Sequence, residues 1–156
     1  MKPHFSVLHD RYPTLESREE LLVQIGWGDV INKAAFNDTC AIRMSVGLVG
    51  AGMALPGARM RAKSGPLRGK SNEPGQARLS NILLGIWGAP EIFKDPGEAT
   101  AGINRRSGVI SFFRIHGAGG PNNGHIDLVF PSIGGFQTCA RSCHFKSVEY
   151  WFWHLR

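Results

Sequence analysis

A cysteine stands in this sequence where a helix would begin. Cys40 follows Asn37-Asp38-Thr39, three residues of the types that cap helix N-termini through a side-chain oxygen, and a mainly apolar run comes next. The sequence therefore predicts a buried helix over residues 40–49 with a thiol in its first turn. Unpaired backbone N–H groups and the positive end of the helix dipole favour the thiolate there, which is the nucleophilic form. The alternative is a small residue that only packs the helix start.

A histidine and an aspartate share one face of a predicted strand. His125 opens that strand directly after the glycine-rich residues 117–124, where an imidazole stays accessible. Asp127 lies two residues further on, so both side chains point to the same side of the strand. A carboxylate in this position can orient an imidazole, and the imidazole can take the proton of a thiol. The alternative is an ordinary polar strand face.

The remaining two cysteines, Cys139 and Cys143, are four residues apart. They could close a small disulfide loop, which requires an oxidising compartment. They could also form half of a metal site, but the chain has no second cysteine pair and the nearest histidine, His144, is adjacent to Cys143. We therefore expect no metal and no cofactor. An odd cysteine beside a possible disulfide pair indicates a free reactive thiol, which again points to Cys40.

Length, composition and charge limit the class of protein. The 156 residues, 42% of them hydrophobic, are enough for a single domain over residues 1–156 and exclude disorder. The net charge of +6 suits anionic partners such as nucleic acid, acidic glycans or an acidic protein. No apolar run is long enough to span a membrane, and the first residues lack the core of a signal peptide. We expect synthesis in the cytoplasm and, for action elsewhere, export outside the general secretory route.

The hydrophobic pattern changes its period along the chain. Apolar residues at helical spacing predict three helices, over residues 15–25, 40–49 and 76–87. Thr14 is a possible cap of the first helix. β-branched and aromatic runs then predict four strands, over residues 108–115, 125–130, 136–138 and 148–155. Helices followed by consecutive antiparallel strands indicate an α+β fold, with N-terminal helices packed on a C-terminal sheet. A cysteine on the first buried helix, packed against a sheet that carries the histidine, is the papain-like arrangement.

Residues 55–74 combine several Gly and Pro with five basic side chains. This composition predicts a mobile basic loop or groove wall and no regular element. Such a segment is either a solvated surface or a contact for an anionic ligand. We expect residues 55–74 and 117–124 to choose the substrate.

Segments along most of the chain resemble the fourth family of type VI secretion amidase effectors, papain-like peptidoglycan amidases related to the NlpC-type peptidases. The most specific are Cys-Ala-Ile-Arg at 40–43, His-Ile-Asp-Leu at 125–128 and Trp-Phe-Trp at 151–153, in the family's order and at suitable separations. The other matching segments are Phe5-Ser6, Tyr12-Pro13, residues 77–87 and residues 108–113.

This resemblance implies cleavage of the γ-D-glutamyl–meso-diaminopimelate bond in peptidoglycan stem peptides. It implies delivery by the type VI secretion apparatus into the periplasm of a rival cell, and a cognate immunity protein that blocks the active cleft. No nucleic-acid or membrane partner is implied. Delivery to the periplasm would let Cys139 and Cys143 oxidise to a disulfide.

The chain departs from the family in its third catalytic residue. The family has an Asp after the short turn that follows the histidine strand, whereas residues 134–138 here contain no carboxylate. Gln137 could orient the imidazole, Asp127 could do so, or the enzyme could work as a Cys–His dyad. We favour Asp127, with Gln137 as the alternative.

The sequence thus predicts a cysteine amidase. Cys40 is the nucleophile, His125 the general base and then acid, and the Cys40 backbone N–H part of the oxyanion hole. One rival is a papain-like enzyme with another acyl substrate, such as an isopeptidase or a transglutaminase-like protein. The other is a basic, non-enzymatic domain that binds nucleic acid or glycan.

Overall fold

Five α-helices and seven β-strands are formed by residues 1–116 and 123–156, the part of the chain that the computed structural model describes. The helices are α1 (Phe5–Arg11), α2 (Arg18–Gln24), α3 (Cys40–Gly50), α4 (Gln76–Trp87) and α5 (Pro96–Ile103). The strands are β1 (Met60–Arg61), β2 (Ser71–Asn72), β3 (Glu91–Phe93), β4 (Gly108–Ile115), β5 (His125–Pro131), β6 (Gln137–Cys139) and β7 (Ser147–His154). Short 3-10 helices cover Gly28–Val30 and Ala34–Phe36. Within these described residues, no helix has the length and apolar character needed to cross a membrane.

The main sheet has the strand order β3-β7-β4-β5-β6, and every neighbouring pair is antiparallel. The strand β4 lies in the middle, where Val109 faces Leu128 of β5 on one side and Trp153 of β7 on the other. Four of the five strands come from the C-terminal part of the chain. The α+β prediction, with helices first and an antiparallel sheet after them, is confirmed.

The helix α3 is the buried centre of the helical layer. Nine of its eleven residues are buried, and it packs on β5 and on α1. Its apolar side chains share one core with residues of the sheet, namely Val109, Ile126, Leu128 and Trp153. The amino end of α3 therefore lies against the strand that begins with His125.

The structure corrects the first predicted helix. The helix spans Arg18–Gln24, and its N-cap is Ser17, not Thr14. The Ser17 hydroxyl accepts a hydrogen bond from the backbone N–H of Glu20 at 3.1 Å. The Glu20 carboxylate in turn accepts a hydrogen bond from the backbone N–H of Ser17, which completes a capping box. The elements α1, β3 and α5 were not predicted, because each is too short to show a clear period.

The basic segment at 55–74 is also more regular than predicted. Two residues on each side, β1 and β2, pair in an antiparallel ladder in which Met60 faces Asn72. The adjacent Glu73 is fully buried and lies 2.6 Å from the guanidinium of Arg59 and 3.5 Å from that of Arg78. A buried carboxylate thus neutralises part of the basic charge locally.

The close contact between β4 and β7 gives a stability prediction. A Cβ atom on Gly108 would lie 2.1 Å from the Trp153 carbonyl oxygen, so the two central strands would have to separate. We predict that Gly108→Ala lowers the free energy of unfolding by about 3 kcal/mol. The control is Gly85→Ala on the exposed side of α4, where a Cβ meets nothing within 4 Å and stability should rise by up to about 1 kcal/mol. Urea denaturation measures both, and equal stability of the two variants would contradict the register.

Candidate active site

Asp38, rather than the capping residue itself, holds the start of α3. Cys40 is the first residue of the helix, and its backbone N–H donates to Asp38 Oδ1 at 3.0 Å. The Thr39 side chain makes no cap bond to the helix; its hydroxyl accepts from Arg43 Nε at 3.1 Å. In this structure a carboxylate oxygen accepts the Cys40 N–H, so the predicted role of this N–H in the oxyanion hole requires Asp38 to move away.

The thiol of Cys40 is buried, and its surroundings disfavour the thiolate form. Only 6% of the residue is exposed, and this burial raises the pKa of the thiol, as does the negative charge of Asp38. Backbone N–H groups of Ile126 and Ala41 lower the pKa, but by less. Burial therefore acts against the stabilisation of the thiolate that the helix start predicts, so attack by Cys40 depends on a base that can take the thiol proton.

His125 and Asp127 form the pair that their spacing on one strand predicts. The distance between His125 Nε2 and Asp127 Oδ2 is 2.7 Å. An ionised carboxylate only accepts hydrogen bonds, so Nε2 carries the proton when the imidazole is neutral, and Nδ1 has a free lone pair. The His125 side chain is 12% exposed, whereas that of Asp127 is fully buried.

Three backbone N–H groups fix the Asp127 carboxylate from other directions. Leu128 donates at 2.7 Å, Arg141 at 3.1 Å and Ser142 at 3.0 Å. A carboxylate with so many donors has one orientation, and it transmits that orientation to the imidazole of His125.

The thiol and the imidazole meet in an open cavity of about 320 Å³. The Cys40 sulfur, a ring nitrogen of His125 and a carboxylate oxygen of Asp38 all lie within 4.8 Å of one another. Asp127 holds Nε2, so Nδ1 is the nitrogen left to take the thiol proton. These three atoms are also of the kinds that could hold a metal ion.

The loops expected to choose the substrate differ in their relation to this cavity. Among the described residues, Asn123 and Gly124 line it, and none from 55–74 does. Residues 117–122 of the predicted glycine-rich loop lie outside the described part of the chain.

His144 is a site residue that the sequence did not reveal. It lines the cavity, and its ring centroid lies 4.9 Å from that of His125. Its Nε2 is 3.0 Å from the Ser142 hydroxyl. Burial lowers the pKa of His144, and the neighbouring His125 lowers it further. The contact between His144 and His125 depends on how the loop before β7 folds back over β5. In the sequence, the only signal for His144 was its position beside Cys143.

The predicted disulfide is present and lies next to the site. Cys139 and Cys143 are joined, with their Cα atoms 5.3 Å apart. The loop that they close contains Arg141 and Ser142, whose backbone N–H groups hold Asp127. The disulfide therefore restricts the donors that orient the carboxylate.

Gln137, the alternative partner for the histidine, points elsewhere. Its amide nitrogen donates to the carbonyls of Thr100 at 2.9 Å and Asn104 at 2.7 Å. In the β5–β6 register it faces Pro131, six positions from His125 along β5 and therefore about 20 Å away. Gln137 does not lie beside the imidazole.

A helix-start thiol and an imidazole line one cavity, and a buried carboxylate binds the imidazole from behind. These are the groups of a hydrolase that forms an acyl intermediate. Residues 36–153 match the family model of type VI secretion system (T6SS) amidase effector protein 4, abbreviated Tae4. The match covers more than half of the chain, which therefore belongs to the Tae4 family of T6SS amidase effectors. No curated protein sequence matches the chain significantly.

Solved structures share the fold. The effector Tae4 from Salmonella typhimurium, in complex with the immunity protein Tai4 from Enterobacter cloacae, is 22% identical with a TM-score of 0.78, over 99% of this chain and 100% of that one. Tae4 from Enterobacter cloacae is 21% identical with a TM-score of 0.78, over 100% of this chain and 98% of that one. At this identity the likeness concerns the fold.

The charge of Asp38 gives a testable consequence for the thiol. Asp38→Asn keeps an oxygen for the Cys40 N–H but removes the negative charge that raises the pKa of the thiol. The pH profile of Cys40 alkylation by iodoacetamide should therefore shift to lower pH, and alkylation at pH 8 should become faster. The only free cysteine is Cys40, so mass spectrometry reports it directly. Asp10→Asn, on the exposed side of α1, is the control, and identical profiles for the two variants would refute the assignment.

Proposed function

We propose that this chain is a cysteine amidase that cleaves the γ-D-glutamyl–meso-diaminopimelate bond of peptidoglycan stem peptides. Cys40 is the nucleophile, His125 the general base and acid, and Asp127 the residue that positions His125. The observation that carries the proposal is the Cys40 sulfur within 4.8 Å of a His125 ring nitrogen, in a cavity open to solvent, together with the bond between His125 Nε2 and Asp127. A thiol at a helix start opposite a histidine on a sheet is the papain-like arrangement.

The first half of the reaction acylates the thiol. His125 Nδ1 takes the thiol proton while the sulfur attacks the γ-carbonyl carbon of the D-glutamyl residue. Because burial raises the pKa of the thiol, proton transfer to His125 accompanies the attack. The tetrahedral intermediate collapses as the C–N bond breaks, and His125 gives its proton to the leaving amine of diaminopimelate. The glutamyl γ-carbonyl is then a thioester of Cys40.

Water completes the cycle. His125 removes a proton from a water molecule as the oxygen attacks the thioester carbon, and the C–S bond breaks. The sulfur regains the proton from His125, which leaves a free glutamyl γ-carboxyl group and the original thiol. During both halves Asp127 stabilises the imidazolium that forms.

The Cys40 N–H enters this reaction only after Asp38 moves. Asp38 is exposed, so its side chain can rotate away and leave the N–H to the oxyanion of the tetrahedral intermediate. The His144 imidazole, whose pKa burial lowers, lines the same cavity and offers a further hydrogen-bond partner to the substrate.

The setting of the activity follows the family. We infer that the effector acts in the periplasm of a rival cell and that a cognate immunity protein blocks its cavity in the producing cell. The family match and the Tae4–Tai4 complexes of related fold support this. The net charge of +6 suits an acidic inhibitor or an anionic cell-wall polymer.

A digestion assay tests the activity. Wild-type protein incubated with purified diaminopimelate-containing muropeptides should release a fragment with a new diaminopimelate amino terminus, detected by mass spectrometry. Cys40→Ala and His125→Ala should each lower the rate roughly 1,000-fold or more. Asp127→Asn should lower it roughly 100-fold, because the imidazole loses its fixed tautomer.

Gln137→Ala is the matched control and should stay within about twofold of wild type. Full activity of the Cys40 and His125 variants would refute the catalytic assignment. Cleavage of another acyl bond without release of diaminopimelate would favour a different papain-like hydrolase. Salt-dependent binding to anionic polymer that survives Cys40→Ala, without turnover, would favour a basic binding domain.

A further inference from the structure

The cavity contains three potential metal ligands that the proposed reaction uses only in part. Cys40 offers a sulfur, His125 a ring nitrogen and Asp38 a carboxylate oxygen, and these atoms lie within 4.8 Å of one another. Thiolate, imidazole and carboxylate are the ligand types of zinc sites. Among the residues that the structure describes, these are the His, Cys, Asp or Glu side chains that lie close enough together, three or more in one group, to hold a metal ion.

The support around His125 is that of a metal ligand. A histidine that binds a metal through one nitrogen commonly donates its other N–H to a carboxylate, which fixes the tautomer and makes the ligating nitrogen more basic. Asp127 Oδ2 accepts from His125 Nε2 at 2.7 Å, and three backbone N–H groups hold that carboxylate. Nδ1 is therefore the ring nitrogen left to bind an ion.

The geometry requires only a small adjustment. Ligands at 2.0–2.3 Å from a tetrahedral ion lie about 3.3–3.8 Å apart. The present spacing of up to 4.8 Å must therefore contract by at most about 1.5 Å. Asp38 is exposed, so rotation of its side chain can supply this movement. The cavity of about 320 Å³ leaves room for water as the fourth ligand.

We propose that Cys40, His125 and Asp38 form a binding site for a zinc-like divalent cation, and that the bound ion excludes the amidase reaction. The ion replaces the thiol proton, so binding releases one proton per ion to solvent. It also takes the Nδ1 lone pair, which the general base needs. Borderline cations such as Zn²⁺ and Co²⁺ fit this ligand set, whereas Mg²⁺, which prefers oxygen ligands, does not. The inhibition rests on the proposed function; the binding does not.

Titration of the chelator-treated, disulfide-intact protein with Zn²⁺ tests the binding. Calorimetry should find one ion bound per chain. Co²⁺ should give a near-ultraviolet thiolate-to-metal charge-transfer band. Because Cys40 is the free cysteine and the other two are in a disulfide, such a band identifies the ligand without any variant.

Variants identify the other ligands. Cys40→Ser and His125→Ala should each weaken Zn²⁺ binding at least 100-fold, and Asp38→Ala should weaken it at least tenfold. The control is Asp10→Asn, which removes one negative charge from the surface, as Asp38→Ala does, and should bind Zn²⁺ as the wild-type protein does. Circular dichroism without metal checks that each variant is folded. No thiolate band in wild-type protein, or unchanged affinity in folded Cys40→Ser, would overturn the site.

Turnover separates this proposal from the proposed function. With muropeptides as substrate, stoichiometric Zn²⁺ should abolish wild-type cleavage, excess chelator should restore it, and Mg²⁺ should have no effect. Full turnover with zinc bound would overturn the claim of exclusion. If the protein cleaved no muropeptide at all, the proposed function would fail, and the calorimetric and Co²⁺ results would still decide whether the cation site exists.

Discussion

The geometry of the site depends on the buried carboxylate of Asp127. An unpaired charge in a protein interior costs several kcal/mol, so this group requires its complete set of donors. One comes from β5 itself, two come from the loop that Cys139 and Cys143 close, and the fourth is the imidazole of His125. The strand β5, the disulfide loop and the histidine therefore form one unit, and the position of each limits that of the others.

Burial of the helix α3 places Cys40 opposite this unit. The same burial disfavours the thiolate form of Cys40. The helix α3 is held inside the protein by its apolar side chains and by Arg43, a 1% exposed residue that donates to Thr39 and to the Pro13 carbonyl. The same burial, with Asp38 close by, raises the pKa of the Cys40 thiol. A thiol with a raised pKa needs a base that can take its proton, and in the proposed reaction the imidazole held by Asp127 is that base.

Local patterns predicted what local interactions determine. The helix at 40–49, the helix at 76–87 and the strands at 108–115 and 125–130 follow from periodicity, and the His125–Asp127 pair follows from two-residue spacing on one strand. The short elements α1, β3 and α5 have too few residues to show a period. Contacts set by tertiary structure were beyond reach: His144 beside His125, and Gln137 on the carbonyls of Thr100 and Asn104.

The central claim is that Asp127 fixes the tautomer of His125 so that Nδ1 faces Cys40. Nitrogen-15 NMR of the labelled imidazole measures this directly, because protonated and unprotonated ring nitrogens have well-separated chemical shifts. The account predicts that the neutral His125 ring carries its proton on Nε2 in the wild-type protein, and that Asp127→Ala removes this preference. A wild-type ring protonated mainly on Nδ1 would contradict it, because no lone pair would then be available to the thiol.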